Sequence, residues 1–379
     1  GGIDSFPLLA VPMFVLSGIL MARGGISRKL FDVFAYFLGK RTAGMPCAVI
    51  VTCLFYGAIS GSAPATVAAV GSMTIPVLCQ LGYDRDFSTA IVAVAGGLGV
   101  IIPPSIPFIM FGMASGESVS DLFISGIVPG IIISVLLMVY AFYYCKKHGE
   151  DKEKIASEVN VLHEKGLAAV CKESFWAVLN PVIILGCIYT GVASPTEAAV
   201  ISVFYALFIS LFVYKSIRGR DLWPILVESV RTYAPILFIL AASTAFSRVL
   251  TLMQVPQIVS AWILTHFTNK ILLLLVINLF LLLVGMVMDT TPSILILTPI
   301  LLPIVTAAGM NPIHFGAMMV VNLAIGFVTP PIGVNLFVAS SLTDIPVMHI
   351  AAKAMPMIVY FLVALLLITF IPGISLAFL

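Results

Sequence analysis

Apolar residues fall in blocks along this chain, roughly at 5–22, 44–59, 64–80, 86–101, 107–115, 123–145, 174–192, 196–214, 232–253, 271–288, 292–308, 313–328, 333–342 and 347–371. A helix needs about 20 apolar residues to cross a bilayer, and several blocks fall short. The pairs 44–59/64–80 and 271–288/292–308 flank the polar strings SGSAPAT (60–66) and MDTTPS (288–293). Each pair predicts a re-entrant helical hairpin whose tip stops inside the bilayer. Stretches of mixed polarity near 24–41, 218–231 and 256–268 predict helices lying in the interface, with Trp223 and Trp262 as anchors. The polar segment 146–172 reads as a solvated loop or helix without chemistry.

Two further strings break apolar blocks: GVIIPPSIP (99–107) and GFVTPPIGV (326–334), each with Gly four residues before a proline pair. They are members of a larger repeat. A shift of 227 residues carries Pro76 onto Pro303, Gly82 onto Gly309, Gly99 onto Gly326, Pro103–Pro104 onto Pro330–Pro331 and Pro129 onto Pro356; Pro64 meets Pro292 with one residue of slack. A proline pair removes two N–H donors and frees carbonyls of the preceding turn. Such backbone is tolerated in a membrane only where protein or a water-filled cavity lines it. Secondary transporters place their sites at broken helices of this kind, near the bilayer midplane.

Composition and charge set the class. Of 379 residues 61% are hydrophobic and 9% charged, against about 25% charged in soluble domains. The chain is therefore polytopic and all-α. Sixteen of the 19 Lys and Arg residues lie at 23–29, 40–41, 85, 146–172 and 215–231. If both hairpins return to their own side, all five places share one face, which the positive-inside rule makes cytoplasmic. The 116–121, 189–195 and 309–312 turns then face outward, and the two repeats have inverted topology. No basic run with interleaved aromatics points to nucleic acid, and the six cysteines lie in or beside apolar segments, as small buried hydrophobes do.

Candidate chemistry follows from the breaks. Backbone oxygens of Gly99, Ile102 and Pro104, with the hydroxyls of Ser60 and Ser62, form a hard-oxygen set suited to Na⁺. The mirrored set is Gly326, Thr329 and Pro331, with Asp289 or Thr290 from the second tip. Asp289 either ligates the ion or caps the following half-helix. Pro64 and Pro292 sit in first helical turns, so the half-helix N-termini point positive dipole ends inward, toward an anionic substrate group. Ser62, Ser105, Arg248 and Asn335 are the candidate substrate contacts. Arg248 lies within an apolar span, where it either pairs with a carboxylate or snorkels to lipid or a partner. The string Ser194-Pro195-Thr196-Glu197 predicts a structural capping box.

The strings YGAISGSAPATVAAVGSMTIP (56–76), GYDRDFSTAIVAVAGGLGVIIPPSIPFIMFG (82–112), SVSDLFISGIVPG (118–130), GMVMDTTPSILILTPILLPI (285–304) and VNLAIGFVTPPIGVNLFVASS (321–341) resemble the large membrane subunit of tripartite ATP-independent periplasmic (TRAP) transporters. The resemblance covers nearly the whole chain and is closest in feel to sialic acid transporting members. It implies a bacterial inner-membrane protein of elevator type, a scaffold carrying a mobile transport domain. It implies Na⁺ symport of an organic acid such as a sialic acid, a C4-dicarboxylate or a sugar acid. The implied partners are a small four-helix membrane subunit, separate or fused, and a periplasmic substrate-binding protein. Family members usually carry one more membrane helix before GIDSFPLLA, so a truncated start is expected. The expected division is 1–43 scaffold and interfacial helix, 44–130 first repeat, 131–270 scaffold helices with the cytoplasmic loop, 271–356 second repeat, and 357–379 the rest of the last helix and tail. The rival classes are an ion channel and an intramembrane enzyme. The sequence offers no H-E-x-x-H, no second buried aspartate to partner Asp289, and no nucleotide-binding motif.

Overall fold

A computed structural model describes residues 6–266 and 269–379, and among them every regular element is a helix. Among the described residues seven helices are long and apolar enough to cross a membrane, or up to eight if a bent pair counts as one span. The bent pair is Ala10–Arg23 and Ile26–Leu38, which meet at 68°. The bend sits at Gly24–Gly25, where Gly25 takes φ 71°, a conformation open to glycine without strain. The second member of the pair is the element expected near 24–41.

The repeat is visible in the element boundaries. The first hairpin is Gly44–Ser60 and Ala63–Gln80, and the second is Lys270–Gly285 and Thr290–Ala307. Each is followed by a broken helix: Arg85–Ala95 with Ile106–Ser115, and Pro312–Gly326 with Val334–Thr343. Residues 63, 80 and 85 map onto 290, 307 and 312 by the same shift of 227. The peptide bonds Pro103–Pro104 and Pro330–Pro331 are both cis.

The two repeats interlock. The second arm of the first hairpin packs against Val334–Thr343, and the second arm of the second hairpin packs against Ile106–Ser115. Such reciprocal packing is what a two-fold relation between repeats requires. Arg85–Ala95 also packs along Val347–Phe370, and Pro312–Gly326 packs along Val119–His148. The unbroken halves run through the centre, with residues 87–112 and 314–328 buried throughout. Ala10–Arg23 and Pro195–Phe208 pack on each other; Leu167–Tyr189 packs on Pro195–Phe208 and on Ile26–Leu38, and Leu222–Leu252 lies between Ala10–Arg23 and the second hairpin arm Thr290–Ala307. These helices expose Phe175, Val182, Phe204 and Phe238, as a lipid-facing or subunit-facing surface does.

Two expectations need correction. The stretch 218–231 is not a separate interfacial helix, because Leu222–Leu252 is one continuous helix of 31 residues. Pro235 lies inside it without ending it, since neighbouring helices and local adjustment re-satisfy the freed backbone in such a setting. At 1.5 Å per residue it is about 46 Å long, well beyond a hydrocarbon core of about 30 Å. For the same reason Pro129 and Pro356 end nothing inside Val119–His148 and Val347–Phe370, in line with the unbroken apolar blocks 123–145 and 347–371. The expected helix at 256–268 falls on Val255–His266, with residues 267 and 268 outside the described set.

Nor is 146–172 merely solvated. Its helix Lys152–Glu164 buries Ile155, Val159 and Leu162, and His163 stacks on Tyr36 at 4.1 Å. Before it, both carboxylate oxygens of Glu150 accept the Ala43 N–H, at 3.0 and 3.1 Å, and one accepts Tyr83 Oη–H at 2.6 Å. Ala43 holds φ 59°, an uncommon conformation for a residue with a Cβ. Glu150 thus pins the base of the first hairpin.

Candidate functional site

Both hairpin tips are built on one device. In the first, helix Ala63–Gln80 starts from Ser62, and Thr66 Oγ1 donates to the Ser62 carbonyl at 2.8 Å. In the second, helix Thr290–Ala307 starts from Asp289, and Ser293 Oγ donates to the Asp289 carbonyl at 2.7 Å. The shift of 227 relates Ser62 to Asp289 and Thr66 to Ser293. The hydroxyl four residues along reinforces the first turn in both. The chemistry at the tip then diverges. Ser60 Oγ and Thr66 Oγ1 lie 2.9 Å apart and no side chain caps the first helix, whereas the Asp289 carboxylate accepts the Thr290 N–H at 2.6 Å and its hydroxyl at 3.3 Å.

Each tip meets its break through glycine. A methyl group on Gly57 would lie 2.7 Å from Gly99 Cα, and one on Gly326 would lie 2.3 Å from the Gly285 carbonyl. The helices therefore touch backbone to backbone, which only glycine allows here. A methyl on Gly99 would lie 2.4 Å from Thr66 Oγ1 and 2.8 Å from the Ser62 carbonyl. The Ile106 N–H donates to the Gly61 carbonyl at 3.4 Å, joining tip to break.

The tips face each other. A small cavity of about 70 Å³ is lined by Gly61, Ser62, Pro64 and Pro107 from the first repeat and by Asp289, Thr290 and Thr291 from the second, with Phe327 and with Ile236 of the long helix Leu222–Leu252. A larger cavity of about 800 Å³ shares Ser62, Pro64, Ile106, Ile236 and Asp289 with it, adds Ser60, and runs out past Pro235, Thr232 and Glu228 to Arg23 and Arg28. Arg23 and Glu228 pair at its mouth at 2.7 Å. A third space, a groove of about 810 Å³, lies farther along Leu222–Leu252, between Leu240, Thr244, Ser247, Arg248 and Thr251 and the 112–119 turn, with Glu117 on that wall.

The structure sorts the sequence-derived residues. Ser60 and Gly99 come together around Thr66 and the Ser62 carbonyl, and Pro104 lies against Gly61. Ile102 packs its side chain on Gly130. Asp289 and Thr290 share their cavity with the first tip and Phe327, not with Thr329 or Pro331. Gly326 is taken up by its contact with Gly285, and Thr329 Oγ1 donates to Ile325 O at 2.7 Å.

Of the substrate candidates only Ser62 lines the tip cavities. Ser105 is buried and donates to Val100 O at 2.5 Å while capping helix Ile106–Ser115. Asn335 is buried and ties the repeats together by donating to Ala93 O at 3.0 Å. Arg248 lies 12 residues beyond Ile236 on one helix, about 18 Å along its axis, and opens onto the separate groove. Thr66 escaped the sequence reading. Its signal was present: a hydroxyl four residues after a helix-starting serine, repeated at Ser293 after Asp289. The capping box at Ser194 forms as expected, with the Glu197 N–H donating to Ser194 Oγ at 3.3 Å and the Ser194 N–H to Glu197 Oε2 at 2.8 Å.

Interlocked repeats with paired hairpins and broken helices, flanked by long apolar helices, define an all-α polytopic membrane protein of the transporter kind. The sequence profile described as "Tripartite ATP-independent periplasmic transporter, DctM component" matches residues 1–374, and the chain belongs to that family. It is 44% identical over 376 residues to the isethionate TRAP transporter permease protein DctMQ of Oleidesulfovibrio alaskensis, covering 99% of this chain and 58% of that protein. It is 40% identical over 374 residues to the C4-dicarboxylate large permease DctM of Pseudomonas aeruginosa, covering 99% and 86%. With the sialic acid large permease SiaM of Vibrio cholerae the identity is 36% over 376 residues, covering 99% and 87%. The fold is shared with MtrF of Neisseria gonorrhoeae, at TM-score 0.67 and 12% identity, over 97% of this chain and 81% of that one. This is a family of transporter permeases, not of enzymes, and the chain is a multi-pass protein of the bacterial inner membrane.

Proposed function

We propose that this chain is the transport subunit of a Na⁺-coupled uptake system for a small organic acid anion. The observation that carries the reading is the shared cavity between the two tips, with the uncapped start of helix Ala63–Gln80 on one wall and the Asp289 carboxylate on the other. An anion is drawn to the first wall by a helix dipole worth roughly half a positive charge. The same anion is repelled by Asp289. A cation between them relieves that repulsion and makes anion binding depend on it. Ser60, Thr66 and the carbonyls about Gly99 offer hard oxygens for a second Na⁺.

The long scaffold helix supports an elevator movement. One stretch of it, from Glu228 to Ile239, lines the cavity that reaches the tips, and the next, from Leu240 to Leu252, lines the groove at the other end. The body made of 44–130 and 271–356 slides along this helix, exchanging which space the tips meet. Arg23 and Arg28 stand where the tip cavity opens, and the positive-inside rule makes that face cytoplasmic. The state described is then inward-facing, and Arg248 stands in the outward groove, where it meets arriving anions before the tips do. A small membrane subunit and a periplasmic binding protein complete the system, as the tripartite family description suggests. The names of the more similar relatives favour small sulfonates and dicarboxylates over sialic acids as substrates.

The test is uptake into proteoliposomes holding this chain and both partners, with isethionate, succinate and a sialic acid offered in turn. The expected result is concentrative uptake of one of them, driven by a Na⁺ gradient, with a Hill coefficient for Na⁺ above one. Equal support by K⁺ would overturn the coupling. Uptake that never exceeds equilibrium would favour a channel.

A further inference from the structure

Away from the tips, at the base of the first hairpin, lies a pocket of about 380 Å³ between the end of helix Ile26–Leu38 and the start of helix Lys152–Glu164. Its wall includes Lys40, Arg41, Lys152 and Asn160, and Glu150 is its one acidic residue. The three cationic side chains are exposed, and among the described residues none makes an ion pair or a side-chain hydrogen bond. The Glu150 carboxylate is engaged by the Ala43 N–H and Tyr83 Oη–H. Of the nearby charges, Asp151 is paired with Lys154 at 2.9 Å. The pocket thus sets three cations against one carboxylate in a concave space, and its net charge is positive.

Its surroundings are those of a membrane surface. Phe37, two residues before Gly39 on the pocket wall, is 57% exposed, and Val161, beside Asn160, is 53% exposed. Large apolar side chains flanking a basic cavity at the ends of membrane helices give acyl chains and a headgroup adjacent places to sit.

We propose that this pocket binds the phosphate group of an acidic phospholipid, such as phosphatidylglycerol, from the leaflet on the Arg- and Lys-rich face. Lys40 and Arg41 approach the phosphate from the scaffold side, and Lys152 closes on it from the linker helix. The lipid fills the elbow where the scaffold hands over to the first hairpin, next to the Glu150 clamp. The site is independent of the ion and substrate chemistry at the tips.

Native mass spectrometry of the detergent-solubilised full chain, titrated with phosphatidylglycerol or phosphatidylcholine, tests this. The expected result is one saturable phosphatidylglycerol, with occupancy falling at least tenfold in the triple variant Lys40→Gln/Arg41→Gln/Lys152→Gln. Adducts of phosphatidylcholine should not change, which also reports that the variant is folded. A second triple variant, Lys146→Gln/Lys147→Gln/Lys172→Gln, removes the same charge outside the pocket and should bind as the parent does. Equal loss in both variants would reduce the effect to bulk charge and overturn the site. Displacement of the lipid by millimolar inorganic phosphate would assign the pocket to a free anion and overturn the lipid source.

Discussion

The two hairpin tips are the same device carrying different chemistry. Both begin a half-helix from a polar residue whose carbonyl takes a hydroxyl four residues on, and both press glycine backbone against a broken helix. In the first repeat the break is buried throughout, from Gly96 to Ile106, and Ser60 and Thr66 hold each other. In the second, Val287 and Met288 beside the tip are exposed, as are Pro331 and Ile332 at the break, and the tip carries a full negative charge. The shared part is what a helix needs in order to stop inside a membrane. The part that differs is what two repeats need in order to do different things: one is neutral, closed and dipole-positive, the other anionic and open.

Changes to the shared part should do the most damage. Gly99→Ala places a methyl 2.4 Å from Thr66 Oγ1, and Gly326→Ala places one 2.3 Å from the Gly285 backbone. Overpacking of this kind costs about 1–3 kcal/mol, and at these sites it also displaces a tip. Where that cost falls on the transport step, each variant should lower initial uptake by about fivefold or more. Gly186→Ala, on a scaffold helix where an added methyl meets nothing within 4 Å, should transport as the parent does. Tolerance of both tip-facing alanines would show that close backbone contact is not what the repeats share.

Changes to the first tip alone should be milder. Ser60→Ala removes one member of the neutral hydroxyl pair and leaves Thr66 Oγ1 on the Ser62 carbonyl. The loss of a hydrogen-bonding partner, about 1 kcal/mol, corresponds to roughly a fivefold rise in the Na⁺ concentration needed for half-maximal uptake. An unchanged Na⁺ curve would remove the first tip from ion binding.

The smallest effect belongs to the surface link between the repeats. Asp84 pairs with Lys353 at 3.0 Å, both about two-fifths exposed. Burial raises the Asp84 carboxyl, but the hydrogen bond and charge of Lys353, with the N–H groups of Asp86 and Phe87, outweigh it and hold the group below its ordinary value. A depressed carboxylate stabilises the fold above its unfolded value and stops doing so as pH falls through the folded one. With solvent screening, Lys353→Gln should destabilise by no more than about 1 kcal/mol at neutral pH, and by nothing once Asp84 is protonated. A difference that persists in acid would mean that Lys353 acts through packing on Tyr144 instead.

The parts legible in the sequence were those written in glycine, proline and periodicity. The 227-residue shift reproduces three observed element boundaries because Gly and Pro constrain backbone directly. The spans and their amphipathic companions followed from apolar runs. What stayed hidden depended on side-chain direction and on a proline that does not stop its helix. Pro235 sits within a continuous helix, so the interfacial helix expected at 218–231 merged with the span after it. Ser105 and Asn335 lie beside a tip or break in sequence but turn to backbone carbonyls, which no spacing reveals. Glu150 lay in a segment that looked solvated, yet it reaches the hairpin base across more than 100 residues of chain.

The central claim is that Asp289 makes anion binding depend on a cation in the shared cavity. The direct test is Asp289→Asn, which keeps size and most hydrogen bonding but removes the charge. Initial uptake of the preferred anion is measured against Na⁺ concentration in proteoliposomes with both partners present. The account predicts a Hill coefficient falling toward one, with residual uptake that needs less Na⁺ or none at this tip. A variant that kept the parent's steep Na⁺ dependence and the parent's rate would contradict it.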